Sequence, residues 1–348
     1  MFRYYLFESD LRKILDALGK DLRKLENSHI FISGATGIIG KWILASLLYA
    51  DNALDLNLSI SILTRNKKTF GENYPLLCFD RRVNVLEGDI RNFYTDVKID
   101  YFIHGAADVI KKNLESETYL TNILGTHNAL TQAIKSNAKR FLYLSSGAVY
   151  GKSATQEEGI DESCRGEINF LKPNSAYALG KCGGEFLTAC AADESTISVS
   201  SARCFSMAGP YLPLDKHFAF GNFMLSALNN ETIHITGNGK VYRSYLYLAD
   251  VCIWLLKIAI NGKNKTSYNV GSDKYISIRD LAEKIKFELN SSSEISVGNL
   301  SSDQSNSNYY FPNTNFAKES LALEANYSLA DTINITANWH MERVKRNE

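Results

Sequence analysis

From His29 onward the chain alternates between two hydrophobic rhythms. Short apolar runs, "HIFIS", "LSISILT", "RVNVLEGD", "IDYFIHGAA", "RFLYLSS" and "ISVSSARCF", have the length and branched-residue content of buried strands. Longer stretches between them, "KWILASLLYA", "TNILGTHNALTQAIKSN" and "SAYALGKCGGEFLTACAA", read as helices. This alternation predicts an α/β fold with a doubly wound parallel sheet and right-handed crossovers. Ahead of it, Leu11, Ile14, Leu15, Leu18, Leu22 and Leu25 recur at helical spacing. They predict a helix over 10–26, capped by Ser9 and packed on the outside. After Cys204 the alternation weakens. Helices are expected near 218–229, 248–260 and 277–289, and the stretch "NSSSEISVGNLSSDQSNSN" reads as a polar loop.

Composition narrows the field. With 348 residues, 45% hydrophobic and 22% charged, the chain can bury a large core without disulfides or a structural metal. Basic and acidic residues balance at 38 each, so no overall field attracts nucleic acid or an anionic membrane. The six cysteines (Cys78, Cys164, Cys182, Cys190, Cys204, Cys252) form no Cys-x-x-Cys pair, and the histidines show no ligand spacing. That predicts a reduced protein with no metal site. The opening "MFRYYLFESDLRKIL" turns charged too early for a secretory signal, and no apolar run reaches membrane-spanning length. A soluble cytoplasmic protein is expected.

Gly34, Gly37 and Gly40 fall where the first strand meets the first helix. In that setting one glycine makes the tight turn, another admits a pyrophosphate close to the backbone, and a third lets helix pack on strand. The helix N-terminus then offers free N–H groups to the phosphates. A glycine turn needed only for packing is the plainer alternative; the strand–turn–helix context favours a dinucleotide site. An NAD site normally has a carboxylate at the end of the second strand to hold the ribose hydroxyl. Here "SILTRNKK" places Thr64 and Arg65 there, with Lys67 and Lys68 behind. A guanidinium suits a 2′-phosphate, so NADP(H) is favoured over NAD(H), unless this is only a basic solvated loop. Asp89 ends the third strand and can accept from the adenine amino group. The expected division is an N-terminal helical extension (1–28), a Rossmann domain (29–205 plus 244–270) and a smaller mixed α/β substrate domain (206–243 plus 271–348).

Tyr177 and Lys181 stand one helical turn apart in "YALGK" and so share a face. Alone this spacing equally describes a surface Tyr–Lys contact or a cation beside an aromatic rim. In order along the chain, however, stand "GATGIIG", "EGDI", "HGAA", "YLSSGAVYG" and "YALGK", followed by "GNGKVYRSYLYLADV", "YNVGS" and "YYFPNTNFAKESLAL". From about His29 to about Trp339 the chain resembles the extended short-chain dehydrogenase/reductase family, in its NAD-dependent epimerase/dehydratase branch acting on nucleotide-activated sugars. The resemblance implies that Ser146, Tyr177 and Lys181 form the catalytic set, with Tyr177 as general acid/base, Lys181 lowering its pKa and Ser146 donating to the developing alkoxide. It implies cofactor contacts from Gly34, Thr36, Gly37, Ile38, Ile39, Gly40, Thr64, Arg65, Asp89, Ile90, Ala106, Ala107, Asn122, Tyr177, Lys181 and Cys204, with Asn122 supporting Lys181. It implies substrate contacts from Asp108, Ser146 and Ser206, with Asn222 and Arg243 on the diphosphate; for Arg243 a structural ion pair is the plain alternative. Tyr211, Asn238 and Tyr245 are candidates for the nucleoside pocket. A homodimer through Rossmann-domain helices is implied as well.

Departures from the family pattern narrow the reaction. The 4,6-dehydratases carry two acids directly after the fifth-strand serine or threonine, and the decarboxylases a glutamate; here Gly147 and Ala148 stand there. Neither can move a proton, so elimination of water by that route is not expected. The cysteine of 3,5- and 5-epimerising relatives is absent, and His217 reads as a loop histidine before it reads as an acid or base. What remains is chemistry at one carbinol or ketone centre. A 4-ketoreductase taking NADPH is favoured by the "TRNKK" loop, and Ser206 replaces an asparagine found in many epimerases. A 4-epimerase holding NAD is the alternative. A catalytically silent nucleotide-binding sensor is the third reading, disfavoured because Ser146, Tyr177 and Lys181 are all present.

Overall fold

In the computed structural model, residues 2–107, 114–151, 158–216, 218–298 and 308–345 are described. The apolar runs form β1 (His29–Ser33), β2 (Ser59–Thr64), β3 (Val83–Glu87), β4 (Tyr101–His104), β5 (Arg140–Ser146) and β6 (Ser198–Cys204). Thr266–Val270 adds β7, so that a single seven-stranded sheet runs β7-β6-β5-β4-β1-β2-β3. Every neighbouring pair in it is parallel. The strand order reverses between β1 and β4, where a doubly wound sheet opens a crevice beyond its carboxyl ends.

Successive side chains of a strand point to opposite faces, and both faces are covered. Ile30 and Ile32 join Trp42 and Leu44 of α2 (Ile38–Leu54) and Trp254 of α6 (Leu248–Asn261). Phe31 points the other way and stacks on Phe102 at 4.7 Å, which stacks on Phe141 at 5.2 Å. Those rings lie beneath α3 (Glu115–Lys135) and α4 (Ala176–Glu194). Two-sided burial is why these strands read as near-continuous apolar runs. Each such side chain is worth roughly 1.5–3 kcal/mol on burial, and a one-residue slip would turn every one to the wrong layer.

The N-terminal segment departs from expectation. It is not one helix capped by Ser9: α1 spans Glu8–Leu18, with Phe7 at the cap position and Ser9 inside the helix. Gly19, at φ 44°, ends it, and a 3-10 turn over Gly19–Leu25 follows. The 3-10 turn still buries Leu22 and Leu25. The segment is tied inward, because the buried Asp10 carboxylate accepts from the Tyr247 and Tyr327 hydroxyls at 2.7 and 2.9 Å.

Beyond β6, α5 (Ala219–Asn229), α7 (Ile278–Glu288) and α8 (Leu329–Lys345) enclose a third cluster around Phe220, Met224, Leu281, Ile285 and Ile333. The strand Val241–Ser244 lies between Tyr275–Ser277, antiparallel, and Asn308–Tyr310, parallel. The stretch expected to be wholly loop also contains the strand Ile295–Val297, paired with Ile233–Ile235. Polar composition hid these elements, because three-residue strands need backbone partners more than a hydrophobic face. Among the described residues no helix is long and apolar enough to cross a membrane.

Candidate active site

The glycine turn sits at the point of strand reversal. Gly34 has φ 77°, and a Cβ there would lie 2.6 Å from the Gly105 carbonyl carbon at the end of β4. A Cβ on Gly40 would come within 2.2 Å of the Gly34 oxygen, so this glycine lets α2 close onto β1. Gly37 is different. It is exposed, and a Cβ there would meet only the Gly34 oxygen, at 3.2 Å. The space in front of Gly37 is open, and the first N–H groups of α2, from Ile38 and Ile39, have no side-chain cap. That cradle fits a dinucleotide pyrophosphate. Thr36, Ala106 and Ala107 stand half-buried around it.

At the ends of β2 and β3 the picture is more committed. Thr64 is buried and accepts from the Asn66 N–H at 3.2 Å, while Arg65 is exposed. Asp89 is gripped by Arg91, with Nε and Nη2 donating at 2.9 and 2.8 Å. Arg91 holds this carboxyl below its ordinary range, and Arg65 adds to the effect. Lys68 turns toward Glu72 at 3.9 Å. The Ile90 side chain is buried against Gly125 of α3, and its carbonyl accepts from Asn128 Nδ2 at 3.0 Å.

Ser146 closes β5, and its Oγ accepts from the Ala148 N–H at 3.2 Å. The Tyr177 phenol is half-buried on α4, and Ser146 opposes the rise in its ionisation that burial causes. One turn on, Lys181 is buried, donates to the Leu144 carbonyl at 2.7 Å and lies 5.9 Å from the Tyr177 ring centre. Small residues allow this seating. A Cβ on Gly180 would lie 2.8 Å from Asn122 Cβ, and one on Gly184 would lie 2.1 Å from the Tyr143 hydroxyl, so α4 rests directly on α3 and β5. Asn122 donates to the Thr118 carbonyl at 2.8 Å, and its Oδ1 is buried with no partner among the described residues.

Burial pushes the Tyr177 phenol up, with Ser146 opposing and Cys204 adding. Burial also lowers Lys181 itself to about 8, with Cys204 and Glu185 opposing. Cys204, beside Lys181, is pushed up to about 12 by burial, so its thiol is neutral. The phenol is therefore protonated and the lysine is near its own titration point.

A residue not anticipated stands against Gly147. Tyr310, at the end of the strand Asn308–Tyr310, places its hydroxyl 2.6 Å from where a Cβ of residue 147 would stand. Its ring packs 5.0 Å from Phe205 and under the Arg243 guanidinium at 5.3 Å. Arg243 donates to the Tyr242 carbonyl at 2.7 Å. Asn222 is exposed on α5, Ser206 is half-buried, and Tyr245 packs on Phe220 at 5.4 Å. Tyr211 is not presented to this cleft; it is buried between Tyr74 and Trp339, with Lys41 4.1 Å over its ring. Asp108 and His217 lie outside the described residues.

Residues 30–271 match the profile of the NAD dependent epimerase/dehydratase family, well over half of the chain. The chain belongs to that family. A dTDP-D-glucose 4,6-dehydratase of Dictyostelium discoideum is 31% identical over 211 residues, covering 58% of this chain and 48% of that enzyme. The chain thus aligns with about half the length of that relative. UDP-glucuronic acid decarboxylase 3 of Arabidopsis thaliana is 26% identical over 88% of this chain and 86% of its own. Among solved structures, an epimerase from Methanothermobacter thermautotrophicus superposes with TM-score 0.77 at 20% identity, over 95% of this chain and 97% of that one. A UDP-glucose 4-epimerase from Thermotoga maritima gives 0.74 at 18% identity, over 91% and 99%. At such identities the structural likeness speaks for the fold.

Within this epimerase/dehydratase family member, a second unanticipated group braces α4 from behind. Glu185 accepts from Arg203 Nε at 2.9 Å and Nη2 at 2.7 Å, and from Ser145 Oγ at 2.5 Å. Arg203 Nη1 also donates to the Tyr150 hydroxyl at 2.9 Å. The signal was a lone acid on a helix and a lone base on a strand, and neither spacing nor periodicity pairs them.

Proposed function

We propose that the protein is an NAD(P)-dependent nucleotide-sugar oxidoreductase acting at a single carbinol or ketone carbon, first of all a 4-ketoreductase that takes NADPH and an NDP-4-keto-6-deoxyhexose. The observation that carries this reading is Tyr177 one helical turn from buried Lys181, which donates to the Leu144 carbonyl two residues before Ser146, in a loop where Gly147 and Ala148 follow the serine. Tyr177 gives its proton to the sugar oxygen, Ser146 donates to that oxygen as charge develops, and Lys181 keeps a positive charge one turn away. The bound nicotinamide supplies the hydride. The Gly37 cradle and the α2 N-terminus hold the pyrophosphate, and Arg243 and Asn222 receive the substrate diphosphate. Gly147 and Ala148, which follow the serine, carry no group that can transfer a proton, so elimination of water is not part of this reading.

A 4-epimerase with tightly held NAD is the second reading. It is favoured by the engagement of Asp89 with Arg91 and of Lys68 with Glu72, which ties charged groups at the ends of β2 and β3 to one another. The nucleotide released on denaturing the purified protein separates the two, followed by titration of the emptied site. For the reductase, NADPH is expected to bind tenfold or more tighter than NADH, about 1.4 kcal/mol, with the preference lost in Arg65→Ala. Co-purified NAD with no preference for the phosphorylated form sinks the reductase and leaves the epimerase.

The protein is further proposed to be a homodimer through the outer faces of α3 and α4. Tyr119, Leu120, Leu124 and Phe186 stand exposed there at 40, 40, 47 and 68%. Leu120→Glu combined with Leu124→Glu is expected to convert a dimer to a monomer in sedimentation velocity. A wild-type chain that sediments as a monomer at all concentrations removes the proposal.

A further inference from the structure

The ion pair behind α4 reaches both ends of the loop that carries Ser146. Glu185 stands one turn beyond Lys181 and shares its side of the helix. The two side chains meet adjacent residues of β5: Lys181 donates to the Leu144 carbonyl at 2.7 Å, and Glu185 accepts from Ser145 Oγ at 2.5 Å. A carboxylate only accepts, so buried Ser145 gives it its one hydroxyl proton. Arg203 on β6 meets the same carboxylate with Nε and Nη2, and its Nη1 donates to the Tyr150 hydroxyl at 2.9 Å and to the Glu162 carbonyl at 3.0 Å. The neighbours fix the polarity of the Tyr150 contact. Asn269 Nδ2 donates to the carbonyls of Ile160 and Asn313 at 2.8 and 3.0 Å, which turns its Oδ1 to the phenol at 2.7 Å. Tyr150 therefore gives its proton to Asn269 and receives one from Arg203. Between Ser145 and Tyr150 lie Ser146 and the short turn that begins at Gly147.

We infer that Glu185 and Arg203 are positioning residues for Ser146: the carboxylate holds Ser145, the guanidinium holds Tyr150, and the pair clamps both ends of the serine loop to the helix that carries Tyr177 and Lys181. The inference rests on the reading of Ser146, Tyr177 and Lys181 as the catalytic set. A bidentate pair is stiff, because two parallel hydrogen bonds fix orientation as well as distance. Anchored on it, the loop does not slide along α4. The spacing of Ser146 from Tyr177 is then kept by groups that take no part in proton transfer.

The test leaves the ion pair intact and cuts its two holds on the loop one at a time. Ser145→Ala removes the bond to Glu185, and Tyr150→Phe removes the bonds to Arg203 and Asn269. Hydrogen exchange of the full chain without ligand is followed by mass spectrometry over residues 145–151. There the Ala148 N–H is held by Ser146 Oγ and the Gly151 N–H by the Ala148 carbonyl at 3.0 Å. Each variant is expected to exchange about tenfold faster over this segment, while β2, three strands away in the sheet, keeps its rate. Exchange unchanged in both variants, or accelerated only in step with β2, overturns the inference and leaves the pair a plain structural tie. Since two separate holds are cut, a variant that fails to fold leaves the other to decide. With NADPH and an NDP-4-keto-6-deoxyhexose the same variants are expected to lose about tenfold in kcat with KM nearly unchanged, and an unchanged kcat also overturns the inference. A wild-type chain that turns over no such substrate, while exchange over 145–151 responds as expected, sinks the enzymatic reading and leaves the clamp on the loop standing.

Discussion

Tyr177→Phe is expected to lower kcat/KM by about 10²–10⁴-fold while leaving the melting temperature and nucleotide affinity essentially unchanged. The phenyl ring retains the packing, and the variant removes only the hydroxyl with its transferable proton. The same pair of groups dictates the pH profile. Burial holds Lys181 at about 8, so its ammonium is present below that value and lost as pH rises through it. The Tyr177 phenol, raised by burial, stays protonated across that interval. In the reducing direction kcat/KM is therefore expected to be flat on the acid side and to fall above about 8, following Lys181 rather than Tyr177. A profile that rises through this range would mean that the ionised phenol is the working form, and would reverse the assigned direction of proton transfer.

Glu185→Ala is expected to cost the fold about 3–5 kcal/mol, because it strands a buried guanidinium. The Arg203 side chain is 13% exposed and its partner 14%, so water cannot replace the lost carboxylate. Glu185→Leu combined with Arg203→Met removes both charges and is expected to recover most of that loss. Urea denaturation of the variants reads both numbers. If the single substitution costs less than about 1 kcal/mol, the pair behaves like an exposed one and α4 is held by apolar packing alone.

The sheet was legible in the chain because its strands are buried on both faces, so burial leaves an unmistakable run of apolar letters. The Gly34–Gly40 turn was legible because backbone proximity admits no side chain, and Tyr177–Lys181 because a helix repeats at a fixed interval. What escaped shares a different property. Tyr310 meets Phe205, Arg203 meets Glu185 and Arg91 captures Asp89 through contacts fixed by tertiary closure. No local period announces those meetings. Tyr211 shows the reverse error: an aromatic residue next to a suggestive loop was a pocket candidate, yet it fills an aromatic core with Trp339. The helix expected over 10–26 failed at Gly19, where a hydrophobic stripe continued through a turn that the backbone could not.

The Asn308–Tyr310 strand also bears on the order in which the protein is made. A ribosome delivers the glycine turn, Ser146, Tyr177 and Lys181 long before it delivers Tyr310, and Asp10 waits longer still for the hydroxyls of Tyr247 and Tyr327. The emerging chain can assemble its nucleotide cradle while the loop after Ser146 still lacks the ring that closes on Gly147. Translation of the late segments then both fastens the first helix and walls in that loop, so the site is complete only as the last turns are laid down.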